Sequence, residues 1–350
     1  PIRPRTDADR RLREEHSAGG CCKLEQAPVP LPASFSAGPA NEGDAAAIAA
    51  VMTASQAANG DDSPITAEEL RSDWSGLDLA TQSLVIRDAN GAIAGYADID
   101  IRANVITSIY AYVSPAFHGR GVGTALRQWG EACACQAMRS APADDQAVVQ
   151  QFIPSPAAAA RRLLENAGYR AIRETFVMET SLDRPLPESV WPDGIAVRPF
   201  VPGQDDLSTF EAVEDAFRDL WGRPRGTFER FEAMIAAPGF DPALWLLAVD
   251  GDEIAATGLA RALSDEGWID VIGVRRPWRR RGIGLALLQS LFATLKTRGA
   301  RTAALSVDAE SATGAPRLYR RAGMTVRASY LRYRKEMRPG RDVAALDRDA

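Results

Sequence analysis

Two hexapeptides carry the chemistry this sequence states most plainly. His118-Gly119-Arg120-Gly121-Val122-Gly123 and Arg279-Arg280-Arg281-Gly282-Ile283-Gly284 stand 161 residues apart, about one domain length. Each follows an apolar, strand-like run ending at Val113 or Val274, and each leads into a helix-patterned segment. A glycine-rich turn at a helix N-terminus lets backbone N–H groups approach a phosphate, and the helix dipole adds a favourable field. The chemistry expected is anion binding, twice. A dinucleotide fingerprint would need G-x-G-x-x-G with an acidic residue downstream, and a Walker loop would need Gly-Lys-Ser/Thr; neither copy has them. Many tight strand–helix turns use Gly-x-Gly for backbone geometry alone, so the surrounding elements must decide.

Those elements recur in the same order in both halves. Helices are expected over Ala45–Ala58 and Ala67–Trp74, and strands over Leu84–Arg87 and Ala92–Ile101 across the hairpin signal Asn90-Gly91. A strand over Val105–Val113, a helix from Gly121 to Met138, a strand over Ala147–Ile153 and a helix over Ala157–Ala167, ended by Gly168, follow. The second half repeats this. A strand at Ile195–Phe200 precedes helices at Asp205–Phe217 and Thr227–Ile235, and a hairpin (Leu244–Val249, Glu253–Ala262) turns at Asp250-Gly251. A strand over Trp268–Val274, a helix over Ile283–Thr297 and a strand over Thr302–Val307 come next. A helix near Ala312–Ala322 and a strand over Val326–Glu336 complete the repeat. The expected organisation is a flexible segment 1–43, a first domain 44–182, a proline-marked linker 183–193, a second domain 194–338 and a disordered tail 339–350.

Composition narrows the class. The chain has 350 residues, 46% hydrophobic and 25% charged, with net charge −5, which suits an ordinary globular protein and gives no basic field for nucleic acid. No apolar run reaches membrane-spanning length, and residues 1–20 lack a signal-peptide core, so a cytoplasmic protein is the expectation. The cysteines are Cys21, Cys22, Cys133 and Cys135, and the histidines His16 and His118; they offer no zinc-ligand spacing and read as reduced thiols.

At the two hexapeptides the chain resembles the GCN5-related N-acetyltransferases, the GNAT family, whose motif is Gln/Arg-x-x-Gly-x-Gly/Ala after the fourth strand. Arg279–Gly284 fits it in full, and His118–Gly123 fits with His in the first position. The resemblance covers about residues 44–337. It implies an α/β (α+β) protein of two tandem GNAT domains, each a mixed, mostly antiparallel sheet flanked by helices, with splayed fourth and fifth strands. It implies acetyl-CoA, or another acyl-CoA, as cofactor. His118, Gly119, Arg120, Gly121, Val122, Gly123 and Thr124 would surround one pyrophosphate. Arg279, Arg280, Arg281, Gly282, Ile283, Gly284 and Leu285 would surround the other, with Arg279 in phosphate contact. Ala111, Tyr112 and Val113, and likewise Ile272, Gly273 and Val274, would pair with the pantetheine arm. An N–H at that strand's bulge can polarise the thioester carbonyl.

A second signature, Arg317-Leu318-Tyr319-Arg320-Arg321-Ala322-Gly323-Met324, resembles the family's Leu-Tyr-x-x-x-Gly-Phe, whose tyrosine protonates the departing thiolate. Tyr319 is the catalytic acid the resemblance implies; the first half has Leu164 there, with Tyr169 beyond the helix-ending Gly168. The family's strand glutamate is missing. Trp268 and Thr107 occupy the two equivalent positions, while Asp270, two residues beyond Trp268 on the same strand face, stands as candidate base. The family's asparagine is replaced by Ser311 and Ala312.

Two readings follow. One is acyl transfer from acetyl-CoA to a small-molecule amine by direct attack in a ternary complex. The second domain would be catalytic and the first a degenerate copy that still binds CoA, the protein a monomer or homodimer without nucleic-acid or membrane partners. The other is a non-catalytic acyl-CoA-binding protein; tandem members also accompany antibiotic-pathway enzymes. Trp221 and Arg223, on the loop between the second half's first two helices, are candidate acceptor contacts.

Overall fold

The structure, a computed structural model, describes residues 30–342 except positions 62, 75, 219–225, 238, 264 and 312. His16, Cys21, Cys22, Trp221, Arg223 and Ala312 lie outside the described residues. The chain forms two compact units. One takes the chain up to Glu174 and a segment beginning at Ser329; the other takes Thr175–Ala328.

The first unit contains β1 (Phe35–Gly38), α1 (Ala45–Ala57), α2 (Ala67–Trp74), α3 (Leu79–Gln82), β2 (Ser83–Asp88), β3 (Ile93–Arg102) and β4 (Ile106–Val113). It continues with α4 (Val122–Ala137), β5 (Ala147–Pro154), α5 (Ala158–Asn166) and the start of β6 (Arg170–Ser181). The second contains β7 (Ile195–Pro199), α6 (Asp206–Phe217), α7 (Phe228–Ile235), β8 (Trp245–Asp250), β9 (Glu253–Leu263) and β10 (Glu266–Val274). Then come α8 (Ile283–Thr297), β11 (Thr302–Asp308), α9 (Ala315–Arg321) and the start of β12 (Thr325–Arg338). Among the described residues no helix is long and apolar enough to cross a membrane.

Hydrophobic faces dictate the layering. In the second unit α8 lays Leu287, Leu291, Phe292 and Leu295 on one sheet face, against Ala260, Ile269 and Leu305. On the opposite face α6 and α7 pack around Phe200, Phe231, Trp245 and Leu259, with Phe200 and Trp245 rings 5.1 Å apart. The first unit repeats this with Leu126 and Trp129 of α4 on one face and Ile48, Met52, Leu70 and Trp74 on the other. Each such fully buried side chain contributes roughly 1.5–3 kcal/mol. Close approach of α8 requires Gly267, where a Cβ would stand 2.6 Å from Leu295.

Each sheet is antiparallel except at one place. In the first, β4 and β5 run parallel from Ile106↔Val148 to Ile109↔Gln151; in the second, β10 and β11 do so from Glu266↔Thr302 to Ile269↔Leu305. Beyond those pairs no ladder joins them, which is the expected splay. The final strands depart from the repeat. β6 runs into the second unit and pairs with β11, Thr302↔Ser181 through Asp308↔Thr175. β12 pairs with β5 in the first unit, Tyr330↔Pro154 through Arg338↔Ala147. Contiguous segments 44–182 and 194–338 are therefore not the compact units, because each half's last strand satisfies its backbone on the other half's fifth strand.

Candidate active site

The loop after β10 is built for an anion. Gly282 adopts φ +88°, which only glycine holds without strain, and opens α8 with no side-chain cap. The amides of Ile283 and Gly284 have no acceptor within the helix, and nothing lies within 4 Å of where a Gly282 side chain would begin. Gly284 sits in close packing: a Cβ there would meet Leu318 at 3.3 Å and Val274 at 3.4 Å. Arg280 also has φ +62°, a strained value for a residue with a side chain, and its exposed guanidinium has no partner among the described residues.

Arg279 behaves differently from expectation. Its guanidinium turns inward, bonding the carbonyl oxygens of Val274 and Ala216, each at 3.0 Å. Its side chain clamps the loop to the end of β10 and to α6. Arg275 is likewise held by Asp215, at 3.0 Å. Arg281 lies 3.5 Å from Asp250 on the surface.

Beside the loop, β10 carries a bulge. Ile269 pairs with Ala260 and Val271 with Leu259, consecutive residues of β9, so Asp270 is one residue too many. From the last parallel pair to the strand end there are five steps in β10 (Ile269 to Val274) but four in β4 (Ile109 to Val113). The β3–β4 ladder is regular throughout. The hairpin turn before β10 is one residue shorter than the turn before β4, so the repeat length conceals the insertion.

The bulge places Asp270 on the α6–α7 face, its carboxylate 3.1 Å from the Nε of Arg261 on β9. Val271 joins the core of that face, while Ile272 and Val274 turn to the α8 core. Tyr319 on α9 is buried in the α8 core, and burial pushes its phenol up to about 12. Asp270 and Tyr319 thus lie on opposite faces of the sheet. Sequence spacing did not identify Arg261, because cross-strand partners depend on register.

In the first unit the loop geometry survives. Gly121 has φ +84° and opens α4 uncapped, and Gly119, with φ +74°, holds relaxed the conformation that Arg280 holds strained. The Arg120 guanidinium lies over Phe35 and Phe117, 4.9 and 5.1 Å from the ring centres, and Pro32 packs against Gly121. His118 is exposed. The fork differs more. The first residues beyond its last pair, Tyr110 and Phe152, stack with centroids 5.7 Å apart and planes at 6°, and Arg332 covers Phe152 at 4.9 Å. Leu164 is buried, and Tyr169, 2% exposed, is embedded near Glu131 and Gln151, its phenol pushed upward chiefly by burial.

The fork, and the uncapped loop that opens beside it, make the second unit a GCN5-related N-acetyltransferase fold. The description "acetyltransferase (GNAT) family" matches residues 208–324, within that unit. The chain belongs to this family and is a tandem GNAT N-acetyltransferase. It is 32% identical over 265 residues to the mycothiol acetyltransferase of Salinispora tropica, spanning 72% of this chain and 81% of that protein. To the mycothiol acetyltransferase of Streptomyces avermitilis it is 30% identical over 298 residues, 84% and 92% of the respective chains. Among solved structures, a GCN5-related N-acetyltransferase from Sphaerobacter thermophilus matches with TM-score 0.84 and 48% identity, over 90% of this chain and 99% of that one. The tandem GNAT protein of the clavulanic acid biosynthesis pathway shares the fold, with TM-score 0.65 and 15% identity over 88% and 100%. Members of this family use acetyl-CoA.

Proposed function

We propose that the second unit transfers an acetyl group from acetyl-CoA to the amine of a small molecule, by direct attack within a ternary complex. The carrying observation is the pairing of an open anion loop with a forked strand pair, in a unit that carries Asp270 on one sheet face and Tyr319 on the other. Acetyl-CoA would supply the activated acyl group and a thiolate leaving group. The amides of Ile283 and Gly284 fit its pyrophosphate because Gly282 leaves them uncapped and uncovered. The β10 segment Ile272–Val274 offers its fork-side backbone to the pantetheine arm. Asp270, directly or through a water, accepts the amine's proton. Tyr319, still protonated at working pH, donates a proton to the departing sulfur.

The first unit, on this reading, keeps a nucleotide-binding loop but not a transfer site. Its fork meets the stacked Tyr110 and Phe152, and Leu164 offers no proton. Relatives named mycothiol acetyltransferase make amines of the mycothiol type the first acceptors to try, alongside other small amines and aminoglycosides. The test is release of CoA thiol from acetyl-CoA across that panel. Binding of acetyl-CoA without release on any amine would favour the non-catalytic reading instead.

A further inference from the structure

The sequence repeat and the compact units disagree about where each half ends. After Gly168 the first half continues into β6, and after Gly323 the second half continues into β12. By position in the repeat these strands are equivalents. Yet the seven pairs of β6 from Thr175 to Ser181 lie on β11, and the eight pairs of β12 from Tyr330 to Arg338 lie on β5.

Both exchanged strands are anchored as core elements. Met178 is fully buried in the α8 core of the second unit, and Leu182, just beyond β6, is buried with it. Tyr333, 1% exposed, sits in the α4 core of the first unit and donates its hydroxyl to Glu165 at 2.7 Å. Lys335 reaches Glu131 at 3.1 Å, and Arg338 donates to the carbonyls of Met138, Pro142 and Asp145. Where β12 leaves the second unit, Arg327 bonds Glu179 of β6 and Glu266 of β10, each at 3.1 Å, tying the donated strand to the strand that bears Asp270. Removing either strand would leave β5 or β11 with a row of unpaired backbone groups and an opened core.

We propose that neither sequence half is an independent folding unit, because each completes its sheet with the terminal strand of the other. The surface each half presents to the other is the edge of its fifth strand, and the partner it accepts is the other half's terminal strand. The covalent linker is then dispensable once the chain has folded.

A site-specific protease sequence inserted between Pro187 and Glu188, both exposed, tests this in the full chain. After complete cleavage the two fragments should co-elute at the mass of the intact chain in native buffer and part only in denaturant; separation in native buffer would overturn the proposal. A second measurement fixes the pairing. Gln150→Cys with Arg334→Cys, which are register partners, should join the two fragments by a disulfide on a non-reducing gel. If each half instead kept its own strand, Gln150→Cys would link to Glu179→Cys within one fragment, and that outcome would also overturn it.

Discussion

Arg261 and Asp270 meet across the β9–β10 ladder at 3.1 Å, at the one position where β10 carries a residue its neighbour does not match. The bulge turns a carboxylate toward the α6–α7 face beside the fork. If Asp270 accepts the amine's proton, Asp270→Asn should lower kcat by about 10²-fold, the usual size of a general-base effect, with little change in KM for acetyl-CoA. Steady-state thiol release measures both. An unchanged kcat removes Asp270 from the proton path.

Tyr319 should act as a protonated acid over the whole practical pH range. Burial lifts its phenol to about 12, so the acid form persists wherever pH lies below that value, and no basic limb from Tyr319 should enter the rate profile up to pH 10. Tyr319→Phe should cost roughly 10²-fold in kcat at every pH in that range. Undiminished turnover would reassign the acid.

Alkali should unfold the protein earlier than its composition suggests. Burial raises Cys133 from 9.0 to about 12 and Tyr319 from 10.0 to about 12, and it raises Tyr169 and Tyr330 as well. The folded state therefore holds these protons more tightly than the unfolded chain. Their contribution is complete below pH 9 and is lost as pH climbs from 9 toward 12. At the acid end Arg198 and Arg298 hold Asp205 and Asp241 below the usual carboxylate value of 3.8, so stability falls only as pH drops below about 4. Melting temperature against pH shows both shoulders; a flat alkaline side contradicts the first.

Calorimetry should count two CoA-binding events per chain, one for each uncapped glycine loop. Gly121→Glu and Gly282→Glu each place a carboxylate at a helix N-terminus built for an anion, so each should remove one event. Gly282→Glu should abolish turnover as well. A single event in the native chain, lost only in Gly282→Glu, would leave the first loop without a binding role.

Arg279→Met should loosen the second loop rather than remove a phosphate contact, since its guanidinium is bonded to the carbonyls of Val274 and Ala216. KM for acetyl-CoA should rise about tenfold, corresponding to ~1.4 kcal/mol, with kcat nearly unchanged. The salt dependence of binding should match the native protein. A steep loss of that dependence would place the side chain on the phosphate after all.

The amino-acid sequence by itself determined much of this protein. Two glycine loops, the hairpins at Asn90-Gly91 and Asp250-Gly251 and the helix-ending Gly168 and Gly323 are local events, set by backbone conformations that particular residues favour, and so were legible one segment at a time. Tyr319 and Leu164 were distinguishable for the same reason. Other features depend on which strand lies beside which. The bulge at Asp270 is hidden because a shorter turn offsets the extra residue. The Arg261 contact, the Arg279 bond to Ala216 and the Tyr110–Phe152 stack join residues between nine and sixty-three positions apart. The exchange of β6 and β12 was least visible. A strand's sequence specifies that it needs an edge and which of its faces is apolar, but two homologous edges satisfy it equally well, and only the folded chain decides between them.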